Sequence, residues 1–333
     1  MRFFKIISAF LLLAFLQSCN NDPYAVDTSK VHLKLEFVNL DSITFHASPK
    51  ELLAINNKYS KQHKEILDFN FGYCLGINTN QDTTFLRKIK DFKKDAYIQR
   101  LEKTISKLDK KGVETELTDA FKRMKYHFPK GKVASSVFYI NSLFSASVFC
   151  TEKEVAIGLD RYLGADAKVI RELPSQQFYG WIKDGMDKKF LTRDVLAAWL
   201  MTNYLEETTE NYSSEMIRWG KILFICKALL PESDEATVVR YNAKQYEWAI
   251  KSEKSFWEYL VKKEMLFKSD EETRINLLKE GPFTIGLPEE SPDRMGQFMG
   301  FKIVQSYMES EEISLEELLD KPYNEILQKY EAK

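Results

Sequence analysis

Runs of apolar residues mark a small sheet in the middle of the chain. Three short runs rich in Val, Ile, Phe and Tyr follow one another at 133–140, 146–150 and 154–159. The Thr-Glu-Lys-Glu between the last two suits a hairpin turn. An earlier run, 31–40, alternates apolar and polar residues, as a strand with one buried face does. The pattern therefore predicts an early strand and a compact group of three later ones.

Helical spacing of apolar residues surrounds this sheet segment. Ser48-Pro49-Lys50-Glu51 has the form of a helix start, with Ser as N-cap, Pro at N1 and Glu at N3. We expect that helix to run to residue 68. The other predicted helices are 95–108, 114–128, 176–183, 192–206, 214–230, 243–263, 270–279, 292–309 and 314–331. No repeat or Pro/Gly/Ser-rich linker divides the chain, so residues 31–333 are predicted to be one α+β domain, mostly helical, with a small antiparallel or mixed sheet covered by helices.

The first residues carry a membrane-targeting signal. The basic residues Arg2 and Lys5 precede an apolar run at 6–16. This run is shorter than the roughly 20 residues that a membrane-spanning helix needs. Leu16-Gln17-Ser18-Cys19 is a lipobox and resembles the signal of bacterial lipoproteins, whose Cys is diacylated and becomes the first residue. We therefore expect a signal peptide at 1–18, lipidation of Cys19 and a polar tether at 19–30.

No later stretch is apolar enough to span a bilayer, so the sequence predicts a lipid-anchored protein. It would face the periplasm from the bacterial cell envelope. Asn20, in place of the Asp that retains many lipoproteins at the inner membrane, favours the outer membrane.

Charge and cysteine content narrow the class of protein. Cleavage before Cys19 leaves 46 basic and 49 acidic residues, a balance that argues against a nucleic-acid partner. Cys74, Cys150 and Cys226 are too few and too widely spaced for a disulfide framework. Cys226 lies in an apolar helical run and is predicted to be a buried thiol, while a bridge between two of the three stays open.

The histidines give no sign of a metal or cofactor site. The chain has His32, His46, His63 and His127, and no two are three or four residues apart. A helix therefore cannot present the usual pair of histidine ligands. Glycine-rich phosphate loops and a Gly-x-Ser-x-Gly elbow are absent from the sequence as well. We predict no cofactor and no metal.

Two turns carry the candidate ligand or partner contacts. The Leu-Asp-Arg-Tyr-Leu-Gly turn after the last strand places Asp160 and Arg161 beside an aromatic ring, although a capped turn has the same composition. The second turn, Glu-Glu-Ser-Pro-Asp-Arg, supplies the other candidates, and a salt-bridged helix cap is its alternative. These candidates are Glu289, Glu290, Asp293 and Arg294.

The helix after this second turn has two glycines. Ser291 and Pro292 suit its N-cap and first position. Gly296 and Gly300 lie four apart on one face, and each costs about 1 kcal/mol relative to alanine in a helix. Close approach of another element is the usual compensation, so we predict a tightly packed core helix.

Several stretches in order resemble the gliding-motility lipoprotein GldB family. Besides the lipobox they are KYHFPKGK (125–132), VAIGLDRYLGADAKVI (155–170), RWGKILFICKALLPE (218–232), YEWAIKSEKSFWEYLVKKEMLFKSD (246–270) and GPFTIGLPEESPDRMGQFMGFKIVQSYM (281–308). The resemblance covers nearly the whole mature chain. It implies an association with gliding motility and with a secretion system that exports surface adhesins.

The resemblance also implies a zincin-like fold, in which a helix after the sheet carries His-Glu-x-x-His. The matching helix here, 192–207, has Ala198, Trp199 and Thr202 at those positions. None of these side chains can bind zinc, and the chain has no histidine after His127. The metal motif of that fold is therefore lost in this sequence.

Three functions remain from the sequence. The first is a non-catalytic component or assembly factor of a motility or secretion machine, anchored to the membrane and contacting protein subunits. The second is an envelope hydrolase that uses the carboxylates of Asp160, Glu289 and Glu290. The third is a lipid- or glycan-binding module whose groove includes three aromatic residues, for which core packing is the alternative: Phe256, Trp257 and Tyr259.

Overall fold

The structure is a computed structural model that describes residues 23–207 and 210–332. The predicted signal peptide and the lipidation site Cys19 lie outside the described residues. Among the described residues, no helix combines the length and the hydropathy needed to cross a bilayer.

Short strands and many helices make up the described chain. The strands are β1 Glu36–Asn39, β2 Ser136–Ile140, β3 Val148–Cys150 and β4 Glu154–Gly158. The helices before the β2–β4 segment are α1 Leu40–His46, α2 Pro49–Gln62, α3 Lys64–Leu67, α4 Asp82–Lys94, α5 Ala96–Ile105 and α6 Lys110–His127. Those after it are α7 Lys168–Arg171, α8 Gly180–Asp184, α9 Leu191–Asn203, α10 Tyr212–Leu229, α11 Glu235–Val238, α12 Ala243–Lys262, α13 Glu271–Leu278, α14 Met295–Ser310, α15 Leu315–Asp320 and α16 Tyr323–Gln328. A π-helix spans Asp68–Cys74, and 3₁₀ turns span Leu159–Tyr162 and Lys188–Phe190.

The four strands form one mixed sheet in the order β1-β2-β4-β3. β1 and β4 both run parallel to β2, and β3 pairs antiparallel with β4 through the predicted hairpin. The fold class, mostly helical α+β with a small mixed sheet covered by helices, is confirmed. Of the early strand predicted at 31–40, only Glu36–Asn39 pairs. It ends at Asn39 because this residue caps α1, which begins at Leu40.

Both faces of the sheet are buried, which explains the continuous apolar runs in its central strands. Successive residues of a strand point to opposite faces. Val137 and Tyr139 of β2 belong to the large core formed with α5, α6, α9, α10 and α14. Phe138 and Ile140 belong to a smaller core formed with α1–α4 and the π-helix. The sheet therefore separates two helical layers.

Local signals placed some helix ends correctly. Ser48 and Glu51 form the predicted capping box, with Pro49 at the helix start.

Other helix predictions differ from the structure. The helix predicted to reach residue 68 ends at Gln62, and the π-helix follows α3. The helix α4 was missed, and the last predicted helix is divided into α15 and α16 at Pro322, which cannot donate a backbone hydrogen bond inside a helix.

The glycine helix α14 is closely packed, as predicted, and the partner element is α10. A Cβ atom at Gly300 would lie 2.0 Å from the carbonyl oxygen of Met216, and one at Gly220 would lie 2.1 Å from the oxygen of Gly300. The two glycines therefore face each other at the helix crossing. Side-chain atoms at either position would separate two central helices of the large core.

The start of α14 differs from the prediction. The helix begins at Met295, and Arg294 is its N-cap; Ser291 lies in the turn before it. Thr284, in the loop that precedes the helix, takes the capping role: its hydroxyl accepts a hydrogen bond from the Met295 amide (3.1 Å) and donates one to the oxygen of Pro292 (2.8 Å). A tertiary contact thus overrides the local Ser-Pro signal.

Candidate functional site

Loops from several parts of the chain close around a cavity of about 170 Å³. We call it the arginine pocket, after Arg240 and Arg294 in its wall. Its lining residues are Trp181, Asp184, Gly185, Lys189, Phe190, Arg240, Asn242, Gln245, Glu280, Gly281, Pro282, Asp293 and Arg294. A pocket for a drug-sized ligand holds roughly 300–1,000 Å³, so this one suits a small group such as a carboxylate.

Arg240 is held by four contacts. One terminal nitrogen, Nη2, donates to the oxygen of Gly185 at 2.7 Å. The Nε atom lies 3.3 Å from Asp194, and Nη1 lies 3.5 Å from Glu280. The guanidinium centre also lies 4.8 Å from the ring centre of Phe190, a cation–π contact. The contacts with Gly185, Asp194 and Phe190 therefore fix the position of Arg240. Its contact with Glu280 is the longest of its polar contacts.

A buried polar network continues behind Arg240. Asp194, in the first turn of α9, accepts a hydrogen bond from the hydroxyl of Tyr162 (3.0 Å) and one from Arg193 (3.2 Å). Arg193 also donates to the oxygen of Val238 at 2.6 Å. Burial lowers the pKa of Arg193, and the carboxylate of Asp194 opposes that shift. A buried charge needs such partners, so the network fixes the back wall of the pocket.

Arg294 and Asp293 form the second charged pair of the pocket. Arg294 Nη2 donates to Asp293 Oδ1 at 3.1 Å, and Nε lies 2.9 Å from Oδ2. The Gly281 amide donates to the same carboxylate at 3.1 Å. Burial raises the pKa of Asp293, while Arg294 and the Gly281 amide oppose the shift. The hydroxyl of Tyr241 donates to the backbone oxygen of Asp293, which fixes the turn.

Both arginines have left-handed backbones, with φ of 61° at Arg240 and 56° at Arg294. A side chain makes this conformation unfavourable by about 1 kcal/mol or more, and such residues gather at functional sites. The Nε atoms of both arginines are buried and make no well-aligned hydrogen bond with any described residue. Each Nε faces a carboxylate of the protein, Asp194 for Arg240 and Asp293 for Arg294. The pocket therefore holds two fixed guanidinium groups, a kind of group that binds planar carboxylates and phosphates.

Asp160 lies outside this pocket. Its side chain is 0% exposed and binds the loop after β2, accepting hydrogen bonds from the amides of Ser142 (2.7 Å) and Phe144 and from the Ser142 hydroxyl. Leu143 and Phe144 are consecutive left-handed residues, an arrangement that creates an anion-binding concavity. Asp160 fills that concavity, so it holds the loop in place.

Arg161 also binds this loop, through the Ser147 hydroxyl at 3.2 Å. Glu289 and Glu290 are exposed. Of the six predicted contacts, the structure therefore brings Asp293 and Arg294 into the pocket. The neighbouring Tyr162, which the sequence did not single out, links the turn after β4 to the pocket through Asp194.

Sequence reasoning missed Arg240, Arg193 and Asp194. Arg240 lies alone after a four-residue helix, and the Arg-Asp pair stands at the start of an apolar helix. The available signal was the adjacent Arg193 and Asp194 in an otherwise apolar helix. Charged residues are rarely buried unless they are paired, so this pair indicated a buried polar network.

The helix that resembles the zincin metal helix is a core helix in this protein. Trp199 of α9 is fully buried, packs edge-to-face against Phe121 at 5.6 Å and donates its indole N–H to the oxygen of Lys132 at 3.1 Å. In the described part of the chain, no group of three or more His, Cys, Asp or Glu side chains is placed to hold a metal ion.

The remaining sequence candidates have packing roles. Cys74, Cys150 and Cys226 are free thiols, and Cys226 is buried as predicted. Phe256 is buried and stacks on Tyr259, and Trp257 packs edge-to-face against Tyr330 at 5.0 Å. These aromatic residues of α12 hold the helix to the core, which was the alternative to a ligand groove.

Comparison with models of protein families shows which family this chain belongs to. The model of the gliding motility protein GldB family matches residues 21–332. The chain belongs to the GldB family. Membership associates it with gliding motility and with lipoproteins anchored in the cell envelope. Comparisons with curated proteins and with solved structures found no match, so the zincin-like relationship of the GldB fold stays a prediction.

Proposed function

We propose that this GldB-family chain is a non-catalytic lipoprotein that serves as a component or assembly factor of the gliding and secretion machinery. Lipidation at Cys19 holds it in the envelope, facing the periplasm, with the outer membrane favoured. In this proposal the arginine pocket binds an acidic group of a protein subunit of that machinery.

The observation that carries the proposal is the long contact between Arg240 and the partly exposed Glu280. Glu280 has a side chain 41% exposed and lies 3.5 Å from Arg240, whereas Asp194 behind it is buried. A carboxylate from a partner can replace Glu280 without disturbing the buried network. Charge-assisted hydrogen bonds of this kind contribute about 1.5–3 kcal/mol each, enough to make one acidic side chain or chain terminus a strong anchor.

The chemistry of the pocket favours binding over catalysis. Glu280 and Asp293 are each paired with an arginine, and Asp293 also accepts a hydrogen bond from the Gly281 amide. Both carboxylates of the pocket are thus engaged by the protein itself. The packing of Trp199 at the resembled metal position supports a non-catalytic role as well.

The alternative, a hydrolase that uses Asp160 with Glu289 and Glu290, gains no support from the geometry. Asp160 is enclosed beneath the loop after β2, and its carboxylate is already bound by two amides and a hydroxyl. Paired catalytic carboxylates must both reach the substrate, about 5–10 Å apart. The two glutamates are exposed on their turn and do not share its enclosure.

The test is crosslinked purification from native membranes, followed by mass spectrometry. We expect the wild-type chain to recover gliding or secretion subunits. Arg240→Gln combined with Arg294→Gln should lower that recovery at least tenfold, because two charged hydrogen-bond donors are lost. Cys19→Ala should abolish it by removing the anchor.

Arg87→Gln is the matched control, since Arg87 is an exposed arginine on α4. Each variant is compared at equal abundance and after a thermal melt that shows a folded body. Equal recovery of subunits by the wild type and the double variant would contradict the pocket's role. Recovery of no specific subunit by the wild type would contradict the proposed function itself.

A further inference from the structure

The segment that follows the lipidation site is docked on the folded body. Tyr24 packs edge-to-face against Phe224 at 5.4 Å, and its backbone oxygen lies 3.2 Å from His127 Nε2. Further along, the ammonium group of Lys125 donates to the oxygen of His32 at 2.9 Å. The predicted tether 19–30 is thus held against the end of α6 from Tyr24 onward.

This docking limits how far the body can lie from the membrane. Cys19 precedes Tyr24 by five residues, and an extended chain spans at most about 3.6 Å per residue. The acylated Cys19 and Tyr24 are therefore within about 18 Å of each other. The surface around Tyr24 must lie close to the bilayer.

The end of α6 and the turn after it carry two exposed lysines and an exposed aromatic residue. Five Lys or Arg residues lie between Asp119 and Glu152, and two of them, Lys122 and Lys132, pair with those two acids. Lys125 and Lys130 are exposed, and no described carboxylate lies within ion-pair distance of either. Tyr126 between them is 51% exposed. Lysine and tyrosine are the residues that anchor proteins at lipid headgroups.

We propose that this anchor face, made of Tyr24, Lys125, Tyr126, His127 and Lys130, docks on the anionic phospholipid surface beside the acyl anchor. The proposal rests on lipidation at Cys19, and it gives the body one orientation on the bilayer. Tyr126 lies among the headgroups, and the two lysines contact their phosphates. Asp27 is the acidic group on the docked segment, and its carboxylate is already bound by the amide (2.8 Å) and hydroxyl (3.0 Å) of Ser29.

The test places a fluorophore on the lipidated full-length protein in vesicles that contain quencher-bearing lipids. Tyr126→Cys carries the label at the anchor face, and Phe267→Cys, an aromatic position that is more exposed at 69%, is the control. Both are made with Cys74→Ser and Cys150→Ser, while Cys226 is buried and unreactive. In vesicles with anionic phosphatidylglycerol we expect quenching at 126 several times that at 267.

Charge reversal tests the attraction between the two lysines and the anionic headgroups. Lys125→Glu with Lys130→Glu should reduce quenching at 126 at least fivefold, because each lysine near an anionic surface contributes about fivefold to its occupancy. Lys254→Glu with Lys262→Glu, on the exposed face of α12, should leave it unchanged. High salt should likewise reduce quenching at 126 in the protein that keeps Lys125 and Lys130, because salt screens the attraction between the lysines and the anionic lipids.

The outcomes separate the anchor from the face. Protein that fails to float with the vesicles would overturn the anchor and the proposed lipoprotein. Protein that floats with equal quenching at 126 and 267 would overturn the docked face alone. Equal quenching at 126 in neutral and anionic vesicles would overturn the contact between the lysines and the headgroups.

Discussion

Gly300→Ala should lower the free energy of unfolding by about 3 kcal/mol. The added Cβ would lie 2.0 Å from the carbonyl oxygen of Met216, which belongs to the backbone of α10. A backbone atom cannot change rotamer to give room, so the helices must separate along the crossing. Alanine is better than glycine in a helix by about 1 kcal/mol, which offsets only part of that strain.

Chemical denaturation of purified wild-type and variant bodies measures this effect. Gly180→Ala is the matched control, because a Cβ at Gly180 meets no atom within 4 Å. We expect Gly180→Ala to change stability by less than about 1 kcal/mol. A neutral or stabilising Gly300→Ala would show that the α10–α14 crossing is looser than the structure has it.

Asp41→Asn should stabilise the protein above neutral pH and remove a pH dependence. Burial raises the pKa of Asp41 to about 7, and repulsion from Asp160 and Glu102 adds to the shift, while Lys110 and His46 oppose it. In the unfolded chain the carboxyl ionises near pH 4. Between about pH 4 and 7 the folded state therefore keeps a proton that the unfolded state has lost.

The sign follows from proton binding: stability falls as pH rises wherever the folded state binds more protons. For Asp41 the fall begins near pH 4 and ends near pH 7, and its total is at most about 4 kcal/mol. The asparagine variant carries no charge, so it should lack this slope and exceed the wild type by about 2–4 kcal/mol at pH 8.

Unfolding curves of the wild type and Asp41→Asn at pH 5 and pH 8 provide the comparison. Asp91→Asn, at an exposed position of α4, controls for the loss of one negative charge. The difference between the wild type and Asp41→Asn should grow with pH, and the Asp91 variant should follow the wild type. A constant difference at both pH values would mean that Asp41 is charged in the folded protein throughout this range.

Features that depend on neighbouring residues could be predicted from the sequence. The Ser48 capping box, the β3–β4 hairpin and the buried Cys226 each follow from a few consecutive side chains. The Gly296 and Gly300 pair was informative for another reason: glycine in a helix is unfavourable, and only close packing compensates for it. That argument predicted contact at backbone distance without identifying α10 as the partner.

Features that depend on distant segments were not predictable in the same way. Ser291 is a residue type favoured at N-caps. Thr284 caps α14 instead, because the loop before the helix folds back onto it. Asp160 looked like a surface contact and instead fills a concavity formed by a loop 16–18 residues earlier. Arg240 gains its role only when the segments at 194 and 280 meet.

Recovery of gliding in a strain that lacks this gene tests the central claim most directly. The measurement is the speed of single cells that produce the wild type, Cys19→Ala, or Arg240→Gln with Arg294→Gln, at matched protein levels. We predict movement with the wild type and loss of movement with both variants, because one lacks the anchor and the other lacks the pocket's donors. Normal movement with the pocket variant, present in the envelope at wild-type level, would contradict the claim that this GldB-family protein works by binding a subunit through the arginine pocket.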